Sequence, residues 1–462
     1  TAHRPVVPDK VLAKSLERYQ GGEDMYRFLD TDEFKRALNN ELEDWMLFMA
    51  PDQREIISRD YAGPARVKGV VGSGKTAVAV HRLRHLARKA FDAEKTVLFL
   101  TYGNRLPAIT EHLLKRLAGE KAPELAAVEC KTIASWCGSF LKQHGQKLNV
   151  RSGDKLERAI DHATDKAKQA SPKLKMLYKN RSFFKEEIKY AIKGRAISNL
   201  EDYLRLDRIG RGTSLNGEER TAMFKIYQDY QRYLSGQNLS DYDDLYLKSL
   251  ELVESGNIPT QYIAAVIDEM QDLSAAQMRL VRGIIPEGPN DLFMVGDGLQ
   301  RIYPGGYVLR QLGIDIVGRG ELLKQNYRNT HEIFAAAYAM VEHEPYDDFD
   351  GEIDEGISPE ISIRHGPKPK LHCATTISYE MKWVSSQIKT LKSEHGYRDK
   401  DFCFLYRWRN PYQTTLPQNL NSEVGHLTDV TSEPDTYFGA NAKHTTFHSA
   451  KGLEFKVVFL LG

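Results

Sequence analysis

One short stretch constrains the fold of this chain more than any other. Residues 69–76 read Gly-Val-Val-Gly-Ser-Gly-Lys-Thr, and this G-x-x-x-x-G-K-T spacing is typical of a phosphate-binding loop between a strand and a helix. Glycines permit the positive φ angles and close backbone approach that a ring of N–H donors around an anion requires. Lys75 is expected to reach the β- and γ-phosphates of a nucleoside triphosphate, and the Thr76 hydroxyl to ligate Mg²⁺. The predicted cradle consists of Gly72, Ser73, Gly74, Lys75 and Thr76.

Length and composition limit the remaining possibilities. At 462 residues the chain is too long for one core, so we expect two or three domains. The formal net charge is only +1, so a nucleic-acid partner would have to be held by a local patch. No apolar run approaches a membrane span, and the first residues lack the apolar core of a secretory signal. Four cysteines without a C-x-x-C pair predict buried thiols in a reducing cytoplasm.

The pattern of apolar residues predicts a parallel α/β sheet around the loop. Residues 1–50 show helical periodicity and are interpreted as a docking extension without chemistry of its own. Gln53 opens the next predicted helix, and its amide matches the N6/N7 edge of adenine, although glutamine is common at helix starts. Buried strands at 96–101, near Val128, and at 262–267 alternate with helices, which is the pattern of parallel sheets.

Residues from about 150 to 255 lose the strand pattern and show helical periodicity instead. Between Lys166 and Arg195 there are ten Lys and Arg but only two Glu, with aromatic residues interleaved. Two interpretations stand: a surface for single-stranded nucleic acid, or a solvated helix face over core aromatics. The first predicts that charge reversal at Lys185, Lys189 and Lys193 weakens DNA binding.

Acidic residues end the strand at 262–267, at the sheet edge where ligands bind in open α/β folds. Asp268 is expected to hold Mg²⁺ through water, and Glu269 to orient or deprotonate an attacking water. The next strand leads to Gln300, placed to sense a γ-phosphate, and to Tyr303, which offers a stacking face. Arg328 is a candidate arginine finger from a second α/β unit beginning near residue 321.

The second unit shows fewer motifs. Strands are predicted at Leu371–Ala374, at Phe402–Tyr406 and over 456–461, with a helix at Trp383–Leu391. The acidic residues 342–360 lack metal-ligand spacing and are interpreted as a solvated loop.

From Gln53 to its end the chain resembles the UvrD/Rep-like branch of superfamily 1 helicases, and six segments carry the resemblance. In order they are GVVGSGKT, TYGN, DEMQD, VGDGLQRIY, LKQNYRN and HSAKGLEF. The resemblance implies two RecA-like α/β domains with ATP in the cleft between them. It places a helical extension at 1–50, a first domain at 51–318 with a basic helical insertion at about 150–255, and a second domain at 319–462.

The resemblance also implies roles for particular residues. Gln53 would read adenine and Tyr327 would stack on it, Arg328 would be the first arginine finger, and Glu454 would contact the nucleotide from the second domain. Lys75, Thr76, Asp268, Glu269 and Gln300 keep the roles given above. Single-stranded DNA is expected to touch Tyr102, Asn104, Thr132, Tyr303 and His448.

Three departures from the family pattern stand out. Family members usually follow the third-motif tyrosine with Arg-Trp-Arg-Gly, whereas Tyr303 here precedes Pro-Gly-Gly-Tyr, so that stacking platform is missing or moved to Tyr307. About 120 residues separate Arg328 from His448, too few for the usual helical insertion in the second domain. The chain also stops before the family's T-R-A-like motif, which supplies the second arginine, so we expect the protein to continue beyond Gly462.

The sequence therefore predicts an ATP-dependent, Mg²⁺-requiring translocase on single-stranded or tailed duplex DNA, and a helicase moving 3′ to 5′ as family members do. The alternative is a nucleic-acid-gated ATPase that serves as sensor or motor subunit of a repair or phage-defence complex, with little unwinding of its own. The N-terminal helices could then bind a protein partner. A P-loop kinase is disfavoured, because it leaves the later motifs unexplained.

Overall fold

The structure is a computed structural model that describes most of the chain beyond its N-terminal segment. The described residues are 44, 46–208, 213–256, 261–298, 306–340, 346–347, 353–354, 362–431 and 436–462. Most of the predicted N-terminal extension, together with Gln300 and Tyr303, lies outside these ranges.

The first α/β unit is built on a six-stranded parallel sheet. Its strands are β1 Ala65–Gly69, β2 Thr96–Thr101, β3 Val128–Thr132, β4 Tyr262–Ile267, β5 Leu292–Gly296 and β6 Gly320–Leu323. They lie in the order β3-β2-β4-β5-β1-β6, with every neighbouring pair parallel. Because helices cover both faces, the central strands are almost wholly apolar and buried.

The sixth strand differs from the expected domain organisation. Residues 320–323, which the resemblance assigns to the second domain, pair with β1 in the first sheet, where Glu321 lies opposite Val67. The domain boundaries themselves stay a prediction.

Ten helices of the described chain pack around this sheet or form the region between β3 and β4. They are α1 Pro51–Ser58, α2 Lys75–Asp92, α3 Leu106–Ala118, α4 Ile133–Gln143, α5 Asp154–Ala170, α6 Arg181–Glu186, α7 Leu200–Arg205, α8 Gly217–Gly236, α9 Tyr242–Ser255 and α10 Ala275–Ile284. One face of α2 is apolar and packs on the sheet, since Val78, Val80, Leu83 and Leu86 are all buried in the sheet core.

The helical insertion has a core of its own, which includes Ile160, Phe184 and Phe224. Several of its basic residues are committed to ion pairs inside it. Lys166 Nζ lies 2.8 Å from Asp229, and Arg181 pairs with Asp161 and Glu157. At these positions the structure supports the interpretation as a helix face over core aromatics.

The position of Lys193 contradicts the expectation that this residue contacts DNA. Its side chain is buried, and its Nζ lies 2.6 Å from Asp241 and 2.7 Å from Asp244. Lys185, by contrast, is exposed. Lys193 is therefore a structural ion-pair residue that DNA cannot reach.

The second unit contains a four-stranded parallel sheet and two smaller strand pairs. The strands are β7 Asn326–Thr330, β8 Tyr346–Asp347, β9 Ile353–Asp354, β10 Ser362–Arg364, β11 Phe402–Tyr406, β12 Leu427–Asp429, β13 Ala442–Thr446 and β14 Val457–Leu461. The helices are α11 His331–Tyr338, α12 Ile377–His395, α13 Arg409–Val424 and α14 Phe447–Ala450. The larger sheet has the order β12-β13-β11-β14, while β7 pairs with β10 and β8 with β9. The predicted α/β class, with parallel sheets in two domains, is confirmed.

The strand predicted at Leu371–Ala374 is wrong. These residues form no regular element, and 93% of the Leu371 surface is exposed. Pro367 and Pro369 precede the run, and proline supplies no backbone donor for a sheet ladder. The last strand, β14, is also only half-buried, since Val458 and Leu460 point outward.

None of the helices in the described ranges combines the length and hydropathy needed to cross a membrane.

Candidate functional site

The phosphate loop (residues 69–76) has the predicted strand–loop–helix geometry. Gly72 and Gly74 adopt φ angles of +77° and +85°, a region that favours glycine. Lys75 is the first residue of α2, and its Nζ donates to the carbonyl oxygens of Gly69 (2.7 Å) and Val70 (3.0 Å). These are loop carbonyls, so the ammonium group lies inside the cradle where an anion would approach.

Gln53 is tied to the same loop. Its Nε2 donates to the Ser73 carbonyl oxygen at 2.7 Å, and its Oε1 accepts from the Ala50 N–H at 3.0 Å. A Cβ at Gly74 would lie only 3.2 Å from Gln53 Nε2, so the two are in close contact. Gln53 thus holds the loop, and adenine recognition by its amide stays a prediction.

Asp268 and Ser73 each have a buried side-chain oxygen beside the phosphate loop. Among the described residues, Asp268 Oδ2 and Ser73 Oγ are buried without a hydrogen-bond partner. Burial and the neighbouring Glu269 charge raise the pKa of Asp268 to about 7, while Thr76 and Lys75 oppose the rise. A divalent cation would satisfy the orphaned oxygen and offset the cost of the buried charge, so these residues fit Mg²⁺.

Glu269 is oriented by its neighbours. It has a left-handed backbone (φ +56°), an unfavourable conformation for a residue with a side chain and one that is common at functional sites. Gln271 Nε2 donates to Glu269 Oε2, and Gln271 Oε1 accepts from the Asp297 N–H at 3.2 Å. The carboxylate is therefore fixed at the carboxyl end of β4.

The second unit contacts the phosphate loop directly. The Gly72 carbonyl oxygen accepts from the N–H groups of Tyr327 (3.1 Å) and Arg328 (3.2 Å). A Cβ at Gly72 would lie 2.1 Å from Asn326 Oδ1, so only glycine permits this approach. Residues predicted from two separate units therefore meet at one loop.

Arg328 lies at the centre of this junction. It forms an ion pair with Glu454, and its Nη2 donates to the Met46 carbonyl oxygen at 3.3 Å. Burial lowers the pKa of Arg328 to about 10. Tyr327 is also buried, with its ring edge-on to that of Phe48 at 6.1 Å between centroids. The structure thus brings Tyr327, Arg328 and Glu454 to the phosphate loop.

Sequence reasoning missed several residues of this junction. The Tyr437 hydroxyl donates to the Glu454 carbonyl oxygen (2.7 Å) and accepts from the Glu454 N–H (2.9 Å). Met46 and Phe48 were assigned to an extension without chemistry, yet they contact Arg328 and Tyr327. No motif spacing marks Tyr437. The sequence signal for it is weak: it is an aromatic residue in a mostly polar stretch.

Lys451 forms a second link between the units. Its Nζ lies 2.6 Å from Asp272 Oδ1 and 3.8 Å from Glu269 Oε2. Burial raises the pKa of Asp272 to about 6, and the Lys451 charge opposes the rise. Two of the motifs, DEMQD and HSAKGLEF, are thus in direct contact.

The predicted DNA residues lie near the carboxyl ends of β2, β3 and β13. Asn104 and His448 are exposed and Tyr102 is half-buried. Thr132 is buried and is the N-cap residue of α4, since its hydroxyl accepts from the Ser135 N–H at 3.0 Å. Their contact with DNA stays a prediction.

Tyr307 does not offer the missing stacking platform. Its ring is buried in the core, and its hydroxyl donates to the Met270 carbonyl oxygen at 3.1 Å. The suggestion that the platform moved to Tyr307 is therefore wrong.

The fold and the site together define a class: a two-unit α/β protein in which a phosphate loop is completed by residues of the second unit. Comparison with known sequences makes this specific. The UvrD/REP helicase N-terminal domain matches residues 49–304, and the UvrD-like helicase C-terminal domain matches residues 322–433. The chain belongs to the UvrD/Rep helicase family.

Individual relatives are distant. An ATP-dependent DNA helicase PcrA of Staphylococcus epidermidis is 26% identical over 309 residues, which cover 64% of this chain and 40% of the relative. The PcrA of Staphylococcus aureus matches to the same extent. A probable DNA helicase of Mycoplasma pneumoniae is 25% identical over 427 residues, 85% of this chain and 71% of the relative. The chain thus spans about 40% of the length of the staphylococcal relatives.

Proposed function

We propose that this chain is an ATP-dependent motor that moves along single-stranded DNA and unwinds duplexes with a single-stranded tail, in the 3′ to 5′ direction. The supporting observation is the pair of hydrogen bonds from the Tyr327 and Arg328 N–H groups to the Gly72 carbonyl oxygen. Because this contact joins the phosphate loop to the second unit, a change at the bound phosphates acts directly on the position of that unit. The names of the relatives, which are DNA helicases, support DNA as the nucleic acid.

In this proposal each side chain has one task. Lys75 leaves the loop carbonyls to neutralise the phosphates, and Glu269 accepts a proton from the attacking water. Arg328 neutralises charge that develops on the γ-phosphate, with Glu454 beside it. Gln53 and Tyr327 bind the adenine, and Gln300 senses the γ-phosphate.

Mg²⁺ would be held by Thr76 and Asp268, whose unpartnered oxygen fits a cation. When bound, the ion neutralises phosphate charge. Glu269 is positioned by Gln271, which donates to its carboxylate.

ATP turnover with and without single-stranded DNA tests the proposal. We expect DNA to stimulate turnover and Mg²⁺ chelation to abolish it. The matched control is Glu269→Gln, which keeps the size of the side chain but removes the base; we expect at least a 100-fold loss of turnover. Turnover that DNA leaves unchanged would contradict the motor proposal.

A second candidate function is supported by the buried Tyr307 ring. Without a stacking platform after Tyr303, the chain could hydrolyse ATP in response to nucleic acid and separate strands poorly, as a sensor or motor subunit of a larger complex. A forked-duplex assay on the purified chain distinguishes the two, because this alternative predicts DNA-stimulated turnover without strand separation.

A further inference from the structure

Trp408 is a large apolar side chain in an unusual place. It is 68% exposed and lies two residues after the end of β11, whereas Trp136 is buried and Trp383 stacks on His372. Arg407 and Arg409 flank it and are also exposed, and the Arg407 guanidinium lies 5.2 Å from the Trp408 ring centroid. A flat ring between two exposed cations has the composition of a surface for single-stranded nucleic acid.

The fold brings two further exposed rings close to Trp408. Strands β11 and β13 are parallel neighbours with Tyr406 opposite Thr446, so the residues that follow them emerge side by side. Phe447 and His448 follow β13; both are exposed, Phe447 by 40%. We call Arg407, Trp408, Arg409, Phe447 and His448 the Trp408 patch.

The patch lies where the two units meet. Arg105 of the first unit donates to the Ser449 carbonyl oxygen, next to His448. The charge of Arg409 is close enough to Arg105 to help lower its pKa, although burial is the larger cause and Asp429 opposes the shift. Two arginines, Arg105 and Arg409, therefore lie near one carboxylate, that of Asp429, which leaves an excess of positive charge for a phosphate backbone.

We propose that Trp408 stacks on a base of single-stranded DNA, while Arg407 and Arg409 contact the adjacent phosphates. The inference rests on the proposed function and adds a binding residue outside the six motifs. The chain reads Arg-Trp-Arg at 407–409, so one aromatic ring and two cations are consecutive in the sequence. The second unit thus supplies a stacking face of its own.

The test uses the full chain and three variants: Trp408→Ala, Trp408→Phe and Phe91→Ala. Phe91 is an exposed aromatic residue near the end of α2, and because α2 starts at the carboxyl end of β1, Phe91 lies at the opposite edge of the first sheet. Affinity for a labelled oligothymidylate is measured by fluorescence anisotropy. Trp408→Ala should weaken binding about 5- to 150-fold, whereas Trp408→Phe, which keeps an aromatic face, and Phe91→Ala should stay within a few-fold.

Tryptophan fluorescence supplies a readout that a merely structural role would not change. The oligonucleotide should quench the wild-type emission, and this quenching should shrink in Trp408→Phe although its affinity is kept. Equal binding by wild type and Trp408→Ala, or unchanged quenching in Trp408→Phe, would overturn the inference.

The two proposals fail in different ways. If wild type neither binds the oligonucleotide nor responds to it in ATP turnover, the proposed function fails and this inference with it. If wild type binds DNA and is stimulated but Trp408→Ala behaves identically, only the inference fails. The exposed tryptophan would then be assigned to a protein–protein interface, because tryptophan and arginine are also enriched among the residues that dominate binding there.

Discussion

At the scale of single residues, the site depends on side chains that hold other side chains in place. Gln271 orients Glu269, Gln53 holds the Ser73 carbonyl group, and Tyr437 binds the backbone of Glu454 on both sides. Such supporting contacts fix reactive groups to within fractions of an ångström, which is the accuracy that catalysis needs.

Replacing Tyr437 with Phe should slow ATP turnover. The variant removes two partly buried hydrogen bonds to Glu454, the partner of Arg328, and each is worth about 1 kcal/mol. We expect kcat to fall about tenfold with a smaller change in the KM for ATP. Steady-state kinetics measure this split.

The control is Tyr61→Phe, which removes a buried hydroxyl that bonds to Ile56 and Glu321, in the first unit. It should leave kcat within about a factor of two. Equal effects of the two variants would show that Tyr437 acts only on stability.

Motif spacing predicted Lys75, Asp268 and Arg328 as phosphate-site residues, and the structure brings all three to the phosphate loop. Motif spacing could not find Met46 or Tyr437, because their roles depend on which segments meet in space. A carbonyl group such as that of Met46 carries no side-chain signal at all.

At the scale of elements, an apolar run predicted a strand correctly only where a neighbouring strand pairs with it. The strands at 96–101 and 402–406 are runs of buried apolar residues, and both are confirmed. Leu371–Ala374 has a similar local pattern but no place in a sheet, and β6 has a plain sequence yet completes the first sheet. Pairing partners decide such cases, and a single sequence does not display them.

The helical insertion contains an element-scale prediction. Lys193 links the segment after α6 to the start of α9 through Asp241 and Asp244 in a buried site, where burial opposes the charge and the two carboxylates raise its pKa. Lys193→Met leaves Asp241 buried without its cation, so we expect a loss of about 3–5 kcal/mol in the free energy of unfolding.

Urea unfolding followed by circular dichroism measures this loss. Lys185→Met, an exposed lysine of the same basic segment, is the control and should change the free energy of unfolding by less than about 0.5 kcal/mol. A Lys193 variant as stable as the control would mean that the ion pair contributes nothing to the insertion.

At the scale of the whole molecule, the two units share one site. The phosphate loop bonds to Tyr327 and Arg328, Lys451 pairs with Asp272, and Arg105 bonds to Ser449. The first two contacts lie at the proposed nucleotide site and the third beside the Trp408 patch. A rigid displacement of the second unit would therefore change both places together, which is what a motor requires.

The most direct test of this shared site is single-turnover ATP hydrolysis by Arg328→Lys at saturating single-stranded DNA. Lysine keeps the positive charge but not the planar guanidinium that contacts Glu454 and Met46. With the phosphate loop intact, binding of a fluorescent ATP analogue should stay within a few-fold of wild type. Hydrolysis should fall by at least about 100-fold. Hydrolysis within a factor of two of wild type would contradict a site completed by the second unit.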